Sequence, residues 1–417
     1  MSKQFWYALS SLVLIALLVS TCQPTVAVTE TPTSSPSPTA SPTASPVPTT
    51  VPTPKPVWSY QTGGAIWGAL VISDGTVYFG SDDGNLYAVD AQNGSLSWKF
   101  PTQGIVRSRP AIAGGLVYFA SDDGYLYALE AQSGTQAWRT DIGNSLPRDL
   151  RENLGTDTAP TGWDYMQSSP VVVEGQVFMG SLDRKLYALA TDTGKINWTF
   201  KTGNIVRATP TVDNGTLYIG SWDKSVYALD VLTGQMLWNT PVGGEVQTTA
   251  LVANGLVYTA SRKASVVALD AQTGEKRWEF DYGNNLWVES SPVMNEGIVY
   301  IGSAGNKWIL GLDGQTGEAS TAFLSRTYFM SAPAIVADTL FIGGVTFRNE
   351  SEGGLFVFKL VDGSFADPSQ PYWYFPVEES LEAEGNWNGV MSSPVVDDGV
   401  VYFGGLDGIL YVLSTSP

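Results

Sequence analysis

Val77-Tyr78-Phe79-Gly80-Ser81 returns as Val117-Tyr118-Phe119-Ala120-Ser121, Val177-Phe178-Met179-Gly180-Ser181 and Leu217-Tyr218-Ile219-Gly220-Ser221. It returns again as Val257-Tyr258-Thr259-Ala260-Ser261, Val299-Tyr300-Ile301-Gly302-Ser303, Leu340-Phe341-Ile342-Gly343-Gly344 and Val401-Tyr402-Phe403-Gly404-Gly405, eight copies in all. Trp98 and Trp138 stand 40 residues apart, as do Trp198, Trp238 and Trp278, and a 20-residue insertion separates copies two and three. A period near 40 with short strand-forming runs predicts a β-propeller, because one unit cannot bury its apolar face alone and its neighbours must cover it.

The third copy shows the unit. Ser169–Val173, Gln176–Ser181, Leu186–Ala190 and Ile196–Phe200 read as four strands, joined by turns at Glu174-Gly175, Leu182–Lys185 and Asp192-Thr193-Gly194. Their β-branched and aromatic residues favour strands, and Gly, Asn and Asp tolerate the positive φ of tight hairpins. Helical periodicity is confined to the extreme N-terminus. The expectation is an all-β, eight-bladed propeller of four-stranded antiparallel blades. The last copy stops at Leu413 with three strands, while Val57-Trp58-Ser59-Tyr60 reads as an orphan outer strand. Residues 57–60 are therefore expected to complete the eighth blade and close the ring, which removes an exposed sheet edge.

Ahead of the repeats, Lys3 precedes an apolar run from Phe5 to Val19 that ends near Cys22. Fifteen residues make roughly 23 Å of helix, short for a hydrocarbon core of about 30 Å, so residues 1–22 read as an export signal. The lone cysteine resembles that of a bacterial lipobox, in which Cys22 is lipidated, although Thr21 departs from the usual small residue there. An ordinary cleaved signal and an uncleaved anchor are the alternatives. Residues 23–56 are almost entirely Pro, Thr, Ser, Val and Ala and hold ten of the 24 prolines. Such a segment has too little large apolar surface to fold and reads as a stalk of up to about 100 Å. Residues 57–417 form the propeller.

Composition narrows the function. The 22 Lys and Arg against 40 Asp and Glu leave a net charge of −18, which disfavours nucleic-acid partners. Histidine is absent and Cys22 is the only cysteine, so Ser-His-Asp and Cys-His catalysis, histidine-ligated metals and intrachain disulfides are excluded. No pair of carboxylates stands out for acid–base work, and no metal site is expected. Asp82-Asp83-Gly84 and Asp122-Asp123-Gly124 read as turns, and Glu378, Glu379, Glu382 and Glu384 as a solvated loop.

Ala88-Val89-Asp90-Ala91-Gln92-Asn93-Gly94 with Trp98, and Ala268-Leu269-Asp270-Ala271-Gln272-Thr273-Gly274 with Trp278, resemble the PQQ-binding-like propeller repeat over essentially all of 57–417. The resemblance implies that the repeat tryptophan docks flat between blades, a structural role that falls to Trp58, Trp98, Trp138, Trp198, Trp238, Trp278 and Trp373. Thr321 takes the place in the sixth copy, and a weaker junction is expected there. One branch of the family, the quinoprotein dehydrogenases, holds a quinone and calcium with an Asp base and a vicinal cysteine pair. This chain has neither the cysteine pair nor a matching acidic cluster, so no PQQ is expected. The chain looks closer to the BamB-like lipoprotein scaffolds, from which its long stalk departs.

Alternating strand direction puts the inter-blade loops and the second-to-third-strand turns on one face. Trp67, Arg107, Gln167, Arg207, Gln247, Glu289, Met330 and Met391 share one repeat phase and are expected to ring the channel mouth there. Trp163, Trp287 and Trp387 lie in inter-blade loops on that face, Trp222 and Trp308 lie in or beside its turns, and Tyr165, Tyr328 and Phe329 join them. Aromatics beside Arg suit an interaction hot spot on loops; equally, these rings plug the channel and pack the loops. The insertion from Asn144 to Asp164 overhangs the same face, as a binding lid or as an excursion. The leading reading is a non-enzymatic, monomeric, exported scaffold, anchored through Cys22 and displayed at the cell surface, that binds a protein or peptide through this aromatic face. A small-molecule or glycan sensor is the alternative, and a PQQ-dependent dehydrogenase is less favoured.

Overall fold

The structure, a computed structural model, describes residues 52–143, 168–283, 288–347, 353–377 and 387–416. Cys22, Trp163, Tyr165, Gln167, Trp287, the 144–164 insertion and the acidic residues 378–384 lie outside these described residues.

Eight antiparallel sheets follow one another, each built of four consecutive strands except in the seventh, which takes up two further short strands, and in the eighth, where the ring closes. The inner strands are only three residues long, from Val71–Ser73 in blade 1 to Val395–Asp397 in blade 8, and successive ones lie against each other. In the eighth blade Pro56–Gln61 pairs antiparallel with Ile409–Ser414, with Tyr60 opposite Leu410. The N-terminal strand thus closes the ring as expected. The hairpin logic holds as well: Asp74-Gly75, Glu174-Gly175, Asn214-Gly215 and Asn254-Gly255 all have positive φ at both central residues, the geometry that matches strand twist.

The repeated Asp-x-x-Thr-Gly and Trp form an inter-blade lock. Asp270 Oδ1 accepts the backbone N–H groups of Gln272 and Thr273 at 3.0 and 2.9 Å, which shapes the third turn. That turn brings Gly274 beneath the ring of Trp238, where an added Cβ would come within 2.6 Å of Cδ2 and Cε3. Trp238 Nε1 then donates to the Ala271 carbonyl at 3.1 Å, and Tyr218 donates to the same oxygen at 3.1 Å. Trp58, Trp98, Trp138 and Trp278 repeat the arrangement over Gly94, Gly134, Gly194 and Gly317. Trp198 covers Gly234, but Gln176 Nε2 takes the equivalent Val231 carbonyl at 3.3 Å, and Trp198 Nε1 has no partner among the described residues.

Blade 7 departs from the pattern. Its second strand, Thr339–Phe347, runs past the repeat because Val345–Phe347 pairs with Trp387–Gly389. Trp373 is buried between blades 7 and 8 against Phe341, Phe375 and Phe403. It has no turn glycine to cover, since the last blade ends without a third-to-outer turn. At the junction marked by Thr321, Phe365 fills the space among Tyr300, Phe323 and Phe358, and its N–H donates to Thr321 Oγ1 at 3.2 Å. The missing indole is replaced by phenylalanines from the next blade, so this junction is packed where a weaker one was expected.

Candidate functional site

Most inner strands are entered through a short run whose middle residue, a Ser or Thr except at Gly68 and Ala208, is pinned. Ser331 Oγ accepts the Gly343 N–H at 2.8 Å and donates to the Gly343 carbonyl at 3.1 Å. Ser108 and Ser392 do the same with Ala120 and Gly404. Pinning this residue turns the side chains before and after it toward the axis. The described members of the shared repeat phase (Trp67, Arg107, Arg207, Gln247, Glu289, Met330 and Met391) all line one central cavity of about 340 Å³.

The ring divides into two arcs. On one side Trp67, Met330, Met391 and Trp387 form a buried apolar cluster with Val345 and Leu406, and Tyr328 and Phe347 pack against it. Tyr328 and Phe347 meet Trp387 at centroid distances of 5.4 and 5.2 Å. On the other side Glu289 accepts from Arg262 Nη2 at 2.8 Å and from Gln247 Nε2 at 2.9 Å. The Arg262 and Arg207 guanidinium groups both lie over the Trp222 ring, at 4.7 and 4.9 Å. Arg107 joins the arcs: it bonds Asp82 through Nε at 2.8 Å and Nη2 at 2.6 Å and lies 4.4 Å over the Trp67 ring.

Burial pushes the Arg207 guanidinium down to about 9, with Arg262 adding to the effect and Asp122 and Glu289 opposing it. That remains above neutrality, so the cation persists.

These positions correct the expectation of a displayed aromatic face. Trp67 and Trp387 are 4% and 3% exposed, and Trp222 and Phe329 are also buried. Arg207, Gln247, Glu289, Met330 and Met391 are buried with them, and of the described candidates Arg107, Trp308 and Tyr328 remain partly exposed. The physical reason is mutual: indole faces attract guanidinium groups and apolar neighbours more strongly than they attract water. The rings plug the upper channel.

Five of the turns between second and third strands, Asp-Gly or not, share one side-chain hydrogen bond. Asp83, Asp123, Asp183, Asp223 and Asp407 each accept from the Tyr hydroxyl four residues on, at 2.5–2.7 Å. Burial works to raise the Asp83 carboxyl, but hydrogen bonds from Tyr87, Asn85 and Gly63 outweigh it and hold the carboxyl low. Burial first, and Asp223 second, push Tyr227 up to about 12.

The calcium of the dehydrogenase branch finds no matching ligand set among the described residues of the cavity. Calcium needs several oxygen ligands. Among the described residues Glu289 is the one carboxylate lining the cavity, and it is already shared by Arg262 and Gln247. Among the described residues no three Asp, Glu, Cys or His side chains converge. The calcium-assisted arrangement does not fit these residues.

A family model described as "Outer membrane protein assembly factor BamB" matches residues 50–159, 149–251 and 240–416. The chain belongs to this family. The solved BamB of Moraxella catarrhalis is similar at 21% identity and a TM-score of 0.59, over 69% of this chain and 85% of that one. The quinohemoprotein alcohol dehydrogenase of Comamonas testosteroni is similar at 15% identity and 0.65, over 86% and 76%. A computationally designed protein, Ika8, gives 16% and 0.66, over 86% and 99%. At such identities these likenesses establish the shared propeller alone. No curated protein sequence matches the chain.

The sequence reading missed the pinned serines and the tier of hydroxyls beyond them. Their signal was present: Ser168-Ser169-Pro170, Ser290-Ser291-Pro292 and Ser392-Ser393-Pro394 recur at one phase.

Proposed function

We propose that this member of the BamB-like family is an exported, Cys22-anchored, monomeric scaffold that works by binding a protein or peptide and carries out no chemistry of its own. The observation that carries the reading is the contrast between two neighbouring outer strands. Met236–Pro241 of blade 4 is an edge strand without a single charge. Met236 and Leu237 are 47% and 55% exposed, and Leu232 in the preceding turn is 61% exposed. Lys276–Asp281 of blade 5 carries Lys276, Arg277 and Glu279 tied into ion pairs. Charged edges resist strand addition, whereas an apolar, uncharged edge accepts it. The partner is an extended segment that adds to blade 4 and rests apolar side chains on Met236 and Leu237. Mutual engagement of the charges of the upper ring supports the non-enzymatic part, because its described acids, Asp82 and Glu289, are each held by an arginine.

The test is photo-crosslinking in cells from position 237, with position 277 as the comparison. A defined adduct from 237 that Met236→Lys abolishes is expected. Equal labelling from both positions, or none from 237, rejects the blade 4 edge and with it this reading.

A further inference from the structure

Two residues beyond the plugged ring, a second tier lines the same cavity: Arg109, Ser169, Thr209, Thr249, Ser291 and Ser393. Four of the hydroxyls are fixed as acceptors by neighbouring blades. Ser169 Oγ accepts the Arg109 N–H at 2.9 Å, and Thr209 Oγ1 accepts the Ser169 N–H at 3.1 Å. Ser291 Oγ accepts the Thr249 N–H at 2.9 Å, and Ser393 Oγ accepts the Ala332 N–H at 3.0 Å. Each oxygen is thereby oriented, while its own proton meets no acceptor among the described residues. A cavity-lining hydroxyl that accepts from the backbone keeps its own proton available to a ligand that displaces water.

Arg109 adds guanidinium donors to this belt. It forms no ion pair or side-chain hydrogen bond among the described residues and lines the cavity with its side chain exposed to solvent. Partial desolvation by the surrounding protein lowers its pKa, and no carboxylate opposes the effect. The lining therefore carries Arg107, Arg109 and Arg207 against Glu289 alone, inside a chain of net charge −18. Accessibility also has a direction. The ring above is buried, whereas most of the belt and the inner-strand residues Val71, Thr211, Leu251 and Val293 below it are half-buried. The cavity opens toward the first-to-second-strand turns. Acidic residues of those turns, Asp74, Asp213 and Asp398 among them, act on the belt through screening solvent.

We propose that the channel beneath the ring binds a small oxyanion, a di- or tricarboxylate or a phosphate, through Arg109 and the inward-facing hydroxyls of Ser169, Thr209, Thr249, Ser291 and Ser393. The cavity volume lies in the range of small-ligand sites, and donors oriented in advance reduce the ordering that binding requires. This inference does not depend on the scaffold reading, since it concerns the axis and not the blade edge.

Calorimetric titration of the full chain with sodium succinate, citrate and phosphate at matched ionic strength tests it. At least one anion is expected to bind one to one, and which titrant prevails separates carboxylate from phosphate. Arg109→Gln weakens that binding at least about tenfold, the loss expected for a charge-assisted contact. Thr209→Val weakens it by about threefold, with near-ultraviolet dichroism unchanged. Arg139→Gln, at an exposed side chain over Tyr125 outside the channel, leaves it intact. Binding no tighter than that of chloride, or an Arg109→Gln protein that binds as the parent does, overturns the proposal, as does equal weakening by Arg139→Gln.

Discussion

The two tiers of the channel stand two residues apart on the same strand entries and follow opposite rules. In the upper ring every described charge has a partner: Arg107 with Asp82, and Arg262 with Glu289, both pairs largely withdrawn from water. In the lower belt the cation Arg109 has no counter-ion, and the hydroxyls keep their protons undirected. Charges that pair with one another make a plug, and hydroxyls that accept from the backbone but keep their own protons available beside Arg109 make a site. Chemical type alone does not separate them, since Arg107 and Arg109 are the same residue on the same loop. What differs is whether a carboxylate of the adjoining turn reaches the guanidinium.

The sharpest way to break this contrast is to remove charge from the ring. Glu289→Gln keeps the volume but deletes the carboxylate that Arg262 and Gln247 share. Arg262 and Arg207 then face each other over Trp222 with less compensation, and Glu289 is one of the two acids that offset their repulsion. Stripping one partner from a buried pair typically costs about 3 kcal/mol or more. Urea unfolding of Glu289→Gln is expected to show a loss of that order, and a loss under about 1 kcal/mol would place the ring among surface networks.

Most of the fold was legible because it rests on repetition. Each Asp-x-x-Thr-Gly announces a turn, each Trp a lock, and residues 57–60 a missing eighth outer strand, all from local chemistry that repeats in register. The ring was legible as a phase but not as a plug. An aromatic in a loop reads the same whether it meets a partner protein or Arg107, and only the fold supplies the neighbour that decides. Blade 7 resisted for a related reason. Val345–Phe347 continues its strand because Trp387–Gly389, more than 40 residues on, pairs with it, and no local pattern encodes that meeting. The hydroxyl belt was readable in principle, since the residue before a proline is held extended. Its meaning required knowing that each oxygen already serves a neighbouring blade.

A smaller effect separates the structural half of the belt from its free half. Ser169→Ala removes the oxygen that receives the Arg109 N–H. Ser169 is buried, so the orphaned amide is expected to cost about 1 kcal/mol. Thr249→Val is the counterpart, because the Thr249 hydroxyl receives no described N–H, and its unfolding midpoint stays with the parent. Equal losses in the two would show that hydroxyl volume, not the circumferential hydrogen bonds, supports this tier.

The smallest expected change in stability belongs to Arg109 itself. Its side chain is exposed to solvent and makes no ion pair or hydrogen bond among the described residues. Replacing it with the neutral Gln therefore removes no described contact. The unfolding free energy of Arg109→Gln should hold, within about 1 kcal/mol of the parent. A larger loss in denaturant titration would mean that Arg109 is one more member of the plug, held by a partner, and the distinction between the two tiers would fail at the residue on which it turns.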